Sequence, residues 1–159
     1  MSDAGGGLTH LDAAGRARMV GVGHKPPVVR RAVAEAVVRM APASARAMSD
    51  GELPKGDAAA VARVTGILAA KRTPDLIALC HPLPIDRVSV DVAVDGDAGE
   101  VRIRAEVETT ARTGVEMEAL TAVSVAALNV YDMVKGIDTG IVIDGVRLLE
   151  KTKGAPPSP

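Results

Sequence analysis

Between Val29 and Met40 the chain alternates residue by residue. Ala32, Ala34, Ala36, Val38 and Met40 fall on one face, and Arg31, Val33, Glu35, Val37 and Arg39 on the other. A period of two over that length predicts a strand. The same period returns twice further on. Val88, Val90, Val92 and Val94 alternate with Ser89, Asp91, Ala93 and Asp95, and Val101, Ile103, Ala105 and Val107 alternate with Arg102, Arg104, Glu106 and Glu108. The turn residues DGDAG lie between these two runs, so the pair reads as a hairpin with one face buried and one wet. Residues 141–149 read as a last strand, and residues 16–22 (RARMVGV), ahead of Pro26-Pro27, as a first one.

The period changes to that of a helix in two places. Asp57 is placed to cap a helix over residues 58–72, whose buried side is expected at Val61, Val64 and Leu68 and whose end is set by Thr73-Pro74. From Thr113 to Lys135 a second helix is predicted, with Met117, Leu120, Val123, Ala127, Val130 and Val134 as its apolar stripe. Thr113 and Glu116 have the spacing of a capping box, and Gly136 follows as a stop. Residues 41–57, rich in Pro, Gly and Ser, are expected to be mainly loop, with room for a helical turn at 44–48. Residues 75–84 (DLIALCHPLP) are expected to form a short apolar turn.

From residue 29 the order is therefore β–α–β–β–α–β. This is the ferredoxin-like arrangement, an α+β fold with an antiparallel sheet and its helices on one face. The 159 residues suit one domain, expected over 8–153, between a flexible lead (1–7) and a flexible tail (154–159). Such a fold hosts many activities and by itself selects none.

Composition narrows the choice. Phe and Trp are absent and Tyr131 is the only aromatic, so the core is aliphatic and the stacking platforms of single-stranded nucleic-acid binders are missing. The net charge of −1 gives no electrostatic case for nucleic acid or an anionic membrane. Cys80 is the one cysteine, which excludes an intramolecular disulfide framework and a multi-cysteine zinc site. Neither a signal segment nor a long uninterrupted apolar run is evident, so a cytoplasmic setting is expected.

Four polar residues stand where chemistry could use them. Lys55, in PKGD, precedes a helix N-terminus, beside Gly56. As a loop residue it is more often an ordinary surface charge. His81, in LCHPLP, has the side chain best suited to proton transfer near neutral pH, although a lone His beside a lone Cys is a weak metal signal. Asp132 and Lys135 are three apart on the second long helix, a spacing at which most such pairs are solvated salt bridges.

Taken together, PKGD, LCHPLP, AAKRTPDLI and RTGVEMEALTAVSVAALNVYDMVKG make the chain resemble the cyclic pyranopterin monophosphate synthases, the C-protein family of molybdenum cofactor biosynthesis. The likeness runs from LTHLD at residue 8 through VRLLEKTKG at 154. It implies a lyase that rearranges (8S)-3′,8-cyclo-7,8-dihydroguanosine 5′-triphosphate to cyclic pyranopterin monophosphate and releases pyrophosphate. It also implies catalytic roles for Lys55, His81, Asp132 and Lys135. Substrate-binding positions are implied at Leu79, Cys80, His81, Met117 and Glu118, with Glu116, Lys71 and Arg30 in or near the pocket. No redox cofactor and no protein-bound metal are implied; Mg²⁺ could accompany the substrate triphosphate. The partners implied are a nucleotide-derived small molecule and further copies of the chain, in a hexamer built as a trimer of dimers with the pocket between subunits. Arg112 and Val134 depart from the lysine and cysteine that many relatives carry there. A non-catalytic, small-molecule-binding regulatory module on the same fold is the competing expectation. Product formation from the cyclised triphosphate separates the two.

Overall fold

The computed structural model describes residues 10–154. The expected lead at 1–7 and all but the first residue of the expected tail lie outside that range. Four strands, β1 (Val28–Arg39), β2 (Arg87–Asp95), β3 (Glu100–Ala111) and β4 (Val142–Lys153), form one antiparallel sheet in the order β2-β3-β1-β4. Four helices, α1 (Pro42–Ser49), α2 (Ala58–Lys71), the single turn α3 (Thr73–Leu76) and α4 (Glu116–Val134), complete the elements among the described residues. The ferredoxin-like order is therefore present, with α1 and α3 added to it.

The strands form where the alternation placed them. The apolar set of β1 (Ala32, Ala34, Ala36, Val38) joins Val101, Ile103, Ala105 and Val107 of β3 in a continuous core under the helices. The opposite face mixes buried Val33 and Val37 with paired charges. Glu35, 6% exposed, is held by Arg147 at 2.9 Å and Arg102 at 3.2 Å, and Arg31 bridges Glu106 at 2.7 Å and Glu150 at 2.8 Å. β1 is central and buried on both faces along most of its length, whereas the edge strand β4 is largely exposed. β4 runs on to Lys153, beyond the expected limit at 149. Gly154, the first residue of the expected tail, donates from its backbone to Val29 O at 2.8 Å.

Four expectations are corrected. Residues 16–22 form no strand; among the described residues this stretch has no β-pairing beyond an isolated bridge between Leu11 and Ala17. The turn expected at 44–48 is a full two-turn helix, α1, which sets Ala45 and Met48 into the core. The buried side of α2 is not Val64 and Leu68, which are half or more exposed, but Ala58, Ala62, Gly66, Ala69 and Ala70. The reason is the closeness of α2 to α4. A Cβ on Gly66 would stand 3.1 Å from Ala122 O and 3.3 Å from Ala126 Cβ, so only small residues fit between the helices. Finally, the capping box at Thr113 and Glu116 does not form. The residue at the helix start is Val115, without a side-chain cap, and Glu116 instead pairs with Lys151 of β4 at 3.3 Å.

The cap at Asp57 does form, its carboxylate accepting from Ala60 N at 2.9 Å. The stripe on α4 is partly as expected: Val123, Ala127, Val130 and Val134 are fully buried, Leu120 is half-buried and Met117 is exposed. α4 is long and apolar enough by composition to cross a bilayer, but half of that window is buried within the fold, as in a core helix.

Candidate active site

α4 carries candidate groups at both ends. At its C-terminal end the turn Pro54–Gly56, with Gly56 at φ +91°, presents Lys55 to the helix from 77 residues earlier in the chain. Lys55 Nζ donates to Asp132 Oδ2 and to Asp132 O, both at 2.8 Å. Lys135 Nζ lies 2.6 Å from Asp132 Oδ1. One carboxylate thus sits between two ammonium groups, and all three side chains are about half exposed. Lys135 first and Lys55 second lower the Asp132 carboxyl to about 2, so it is ionised throughout the neutral range. The same contact raises the Lys135 ammonium above its ordinary value, which favours a proton donor or anion partner over a free base.

At the N-terminal end of α4 the segment after α3 brings Leu79, Cys80 and His81 against Glu116, Met117 and Glu118. Glu118 is 1% exposed, and its Oε2 is buried without a hydrogen-bond partner among the described residues. Its Oε1 lies 3.6 Å from Cys80 Sγ. Burial pushes the Glu118 carboxyl up, outweighing the hydrogen bonds that favour the ionised form. Burial, with Glu118 beside it, also raises the Cys80 thiol to about 11, so this cysteine is a thiol at neutral pH and a poor nucleophile. His81 Nε2 lies 2.8 Å from Val20 O.

A cleft of about 350 Å³ opens here, within the size range of small-molecule sites. Leu79, Cys80, His81, Glu116 and Met117 line it, together with His10, Val20, Val22 and Lys25 from the segment ahead of β1. A neighbouring cavity joins Arg30, Glu116 and Lys151 with Lys153. Arg30 Nε is buried without a hydrogen-bond partner among the described residues. The Glu116 carboxylate occupies the space over Gly114 where a Cβ would stand, which ties that glycine to the geometry of the helix start.

The structure thus assembles the expected residues into two groups. Lys55, Asp132 and Lys135 stand together, as do His81, Cys80, Leu79, Glu116, Met117, Glu118 and Arg30. Lys71 joins neither and lines a separate hollow with Ile85 and Arg87. Sixteen residues of helix separate Glu116 from Asp132, roughly 24 Å at the helical rise. One small ligand cannot touch both groups of the same chain. Sequence reasoning missed Lys25, Lys151 and His10, which line these cavities. Each is an isolated polar residue in a loop or edge strand, with no spacing signal to mark it.

The family model described as the MoaC family matches residues 19–154. The chain is 55% identical over 147 residues to the cyclic pyranopterin monophosphate synthase of Roseiflexus sp. (strain RS-1), covering 92% of this chain and 93% of that protein. Against the protein of the same name from Thermomicrobium roseum the identity is 55% over 147 residues, covering 92% and 89%. Against that of Nostoc sp. (strain PCC 7120) it is 51% over 157 residues, covering 96% and 94%.

Proposed function

The chain belongs to the MoaC family, and from that premise we propose that it is a cyclic pyranopterin monophosphate synthase of molybdenum cofactor biosynthesis. It converts (8S)-3′,8-cyclo-7,8-dihydroguanosine 5′-triphosphate to cyclic pyranopterin monophosphate with release of pyrophosphate. The observation that carries this reading is sequence identity above half over nine-tenths of the chain to enzymes of that name. The arrangement of Lys55, Asp132 and Lys135 supports it.

The rearrangement needs protons moved on and off the ring system and negative charge absorbed as pyrophosphate leaves. Asp132, ionised throughout the neutral range, holds Lys135 charged and aimed. Lys135 then protonates or neutralises developing negative charge. Lys55 stands on the other side of the same carboxylate. It can exchange Asp132 for a substrate oxygen at little cost, because both ions remain half in water. At the other end of α4, His81 gives or takes a proton. Glu118, with its unpartnered oxygen, meets ring N–H groups, while Arg30 faces the phosphates beside it. Where Mg²⁺ is present it travels with the triphosphate.

The roughly 24 Å between the two groups supports a pocket shared by two chains, one supplying Lys55, Asp132 and Lys135 and the other His81 and Glu118. Val64, Leu68, Leu76 and Leu128, each half or more exposed on the outer helix face, give the chain apolar surface for such an assembly. A hexamer arranged as a trimer of dimers in the cytoplasm is the form we propose. The deciding experiment incubates the purified protein with the cyclised triphosphate and measures pyrophosphate and the pterin product. Stoichiometric release of both is expected; absence of either, from a folded oligomer, would remove the assignment.

A further inference from the structure

Residues 10–25 form a strap that has no helix and no ladder of its own, yet His10, Val20, Val22 and Lys25 from it line the cleft at the start of α4. Two main-chain oxygens tie it to the body. Val20 O lies 2.8 Å from His81 Nε2, and Lys25 O accepts from Arg112 Nε at 3.0 Å. A carbonyl oxygen can only accept, so Nε2 carries the hydrogen. In the neutral ring Nδ1 is then the one nitrogen with a free lone pair.

We propose that this strap is the closing element of the cleft, that His81 is its latch, and that the latch makes Nδ1 the nitrogen through which His81 exchanges a proton with a ligand. The last clause rests on the catalytic reading of His81; the latch does not. A proton taken up at Nδ1 leaves the Nε2–H bond to Val20 in place and makes it charge-assisted, hence stronger. The strap therefore stays shut while His81 holds a proton and loosens when the proton is passed on. If Nε2 were the acceptor, every transfer would have to break the tie first. Arg112, one of the two departures from many relatives, gains a purpose here as the second anchor of the strap.

Two measurements without substrate test the latch. The chain has three histidines, so ¹⁵N–¹H correlation through the imidazole rings resolves each of them, with His81 identified by its absence from His81→Gln. The neutral His81 ring is expected as the Nε2–H tautomer. An Nδ1–H tautomer, or rapid averaging of the two, would overturn the proposal. Hydrogen exchange of the strap is then compared in wild type, His81→Gln and His81→Asn, with α4 peptides as the internal control. Gln places its amide nitrogen where Nε2 stands and should keep the wild-type rate. Asn places it at Nδ1 and should raise strap exchange about fivefold, the factor one lost hydrogen bond implies. Equal strap exchange in all three proteins would sink the latch. Should a His81 variant not fold, Arg112→Ala serves instead: faster exchange around Lys25 is expected, and an unchanged rate would remove the second anchor. Pyrophosphate assays do not enter these readouts, so an inactive protein with a latched strap would count against the proposed enzyme function only.

Discussion

Lys55 reaches Asp132 across 77 residues of sequence and binds it twice, through the carboxylate and through the backbone carbonyl, both at 2.8 Å. The second bond fixes the lysine against the last turn of α4 rather than against a mobile side chain alone. It also takes up a helix-end carbonyl, one of the acceptors that lack intrahelical partners. Lys55 is thereby held where Asp132 and Lys135 already meet.

Replacing Asp132 by Asn should separate catalysis from structure. Asn keeps the volume and can still accept from one lysine, so melting temperature and assembly should hardly change. Turnover in a single-turnover assay should fall by roughly two to four orders of magnitude, as for loss of a group that moves or positions a proton. Substrate affinity, from a titration on the same preparation, should hold or rise because a carboxylate near a polyanion is gone. Near-normal product would make the group a surface salt bridge.

The Asp132 carboxyl should titrate near 2 in the wild type when followed by carboxyl ¹³C shifts, against an ordinary value of 3.8. In Lys55→Ala it should move up toward the ordinary value. The sign fixes the stability effect: a carboxyl lowered in the folded state stabilises above its unfolded value and loses that contribution as pH falls from about 4 to about 2. An identical titration in both proteins would show that Lys55 does not pair with Asp132 in solution.

Glu118→Gln should remove a pH dependence rather than a contact. Burial raises the carboxyl in the folded chain, so the wild type is best off with Glu118 protonated. It should lose stability as pH climbs from the ordinary Glu range through the raised value. The variant, neutral at every pH, should not. The melting-temperature difference between the two proteins should therefore grow with pH in favour of Gln, by a few degrees. A constant difference would mean that Glu118 is solvated.

Mixing two inactive chains tests the shared pocket. Lys55→Ala and His81→Ala should each abolish product alone. In a two-fold pair carrying two composite pockets, random mixing leaves one pocket in four with both wild-type halves. Co-assembled variants should then recover about a quarter of the wild-type rate. Light scattering on the same samples should report six chains. No recovery from a mixed oligomer would require both groups to serve separate sites.

Much of this molecule could be read from the chain alone, because the deciding forces act over a few residues. Alternation in β1, β2 and β3 reports three strands, with one wet face for the β2–β3 hairpin, and the Asp57 cap and the Asp132–Lys135 spacing report a helix start and a helix face. The family likeness in GVEMEALTA and LCHPLP was equally visible. Tertiary packing decided the rest. The inner face of α2 went to Ala62, Gly66 and Ala69 rather than to Val64 and Leu68, because two helices in close approach exclude branched side chains. Glu116 was drawn from its cap to Lys151, a strand residue 35 positions later that no local pattern connects to it. Lys55 became a neighbour of Asp132, and the roughly 24 Å between the ends of α4 parted it from His81. These are distances between elements, and a sequence determines them only through the packing of the whole fold.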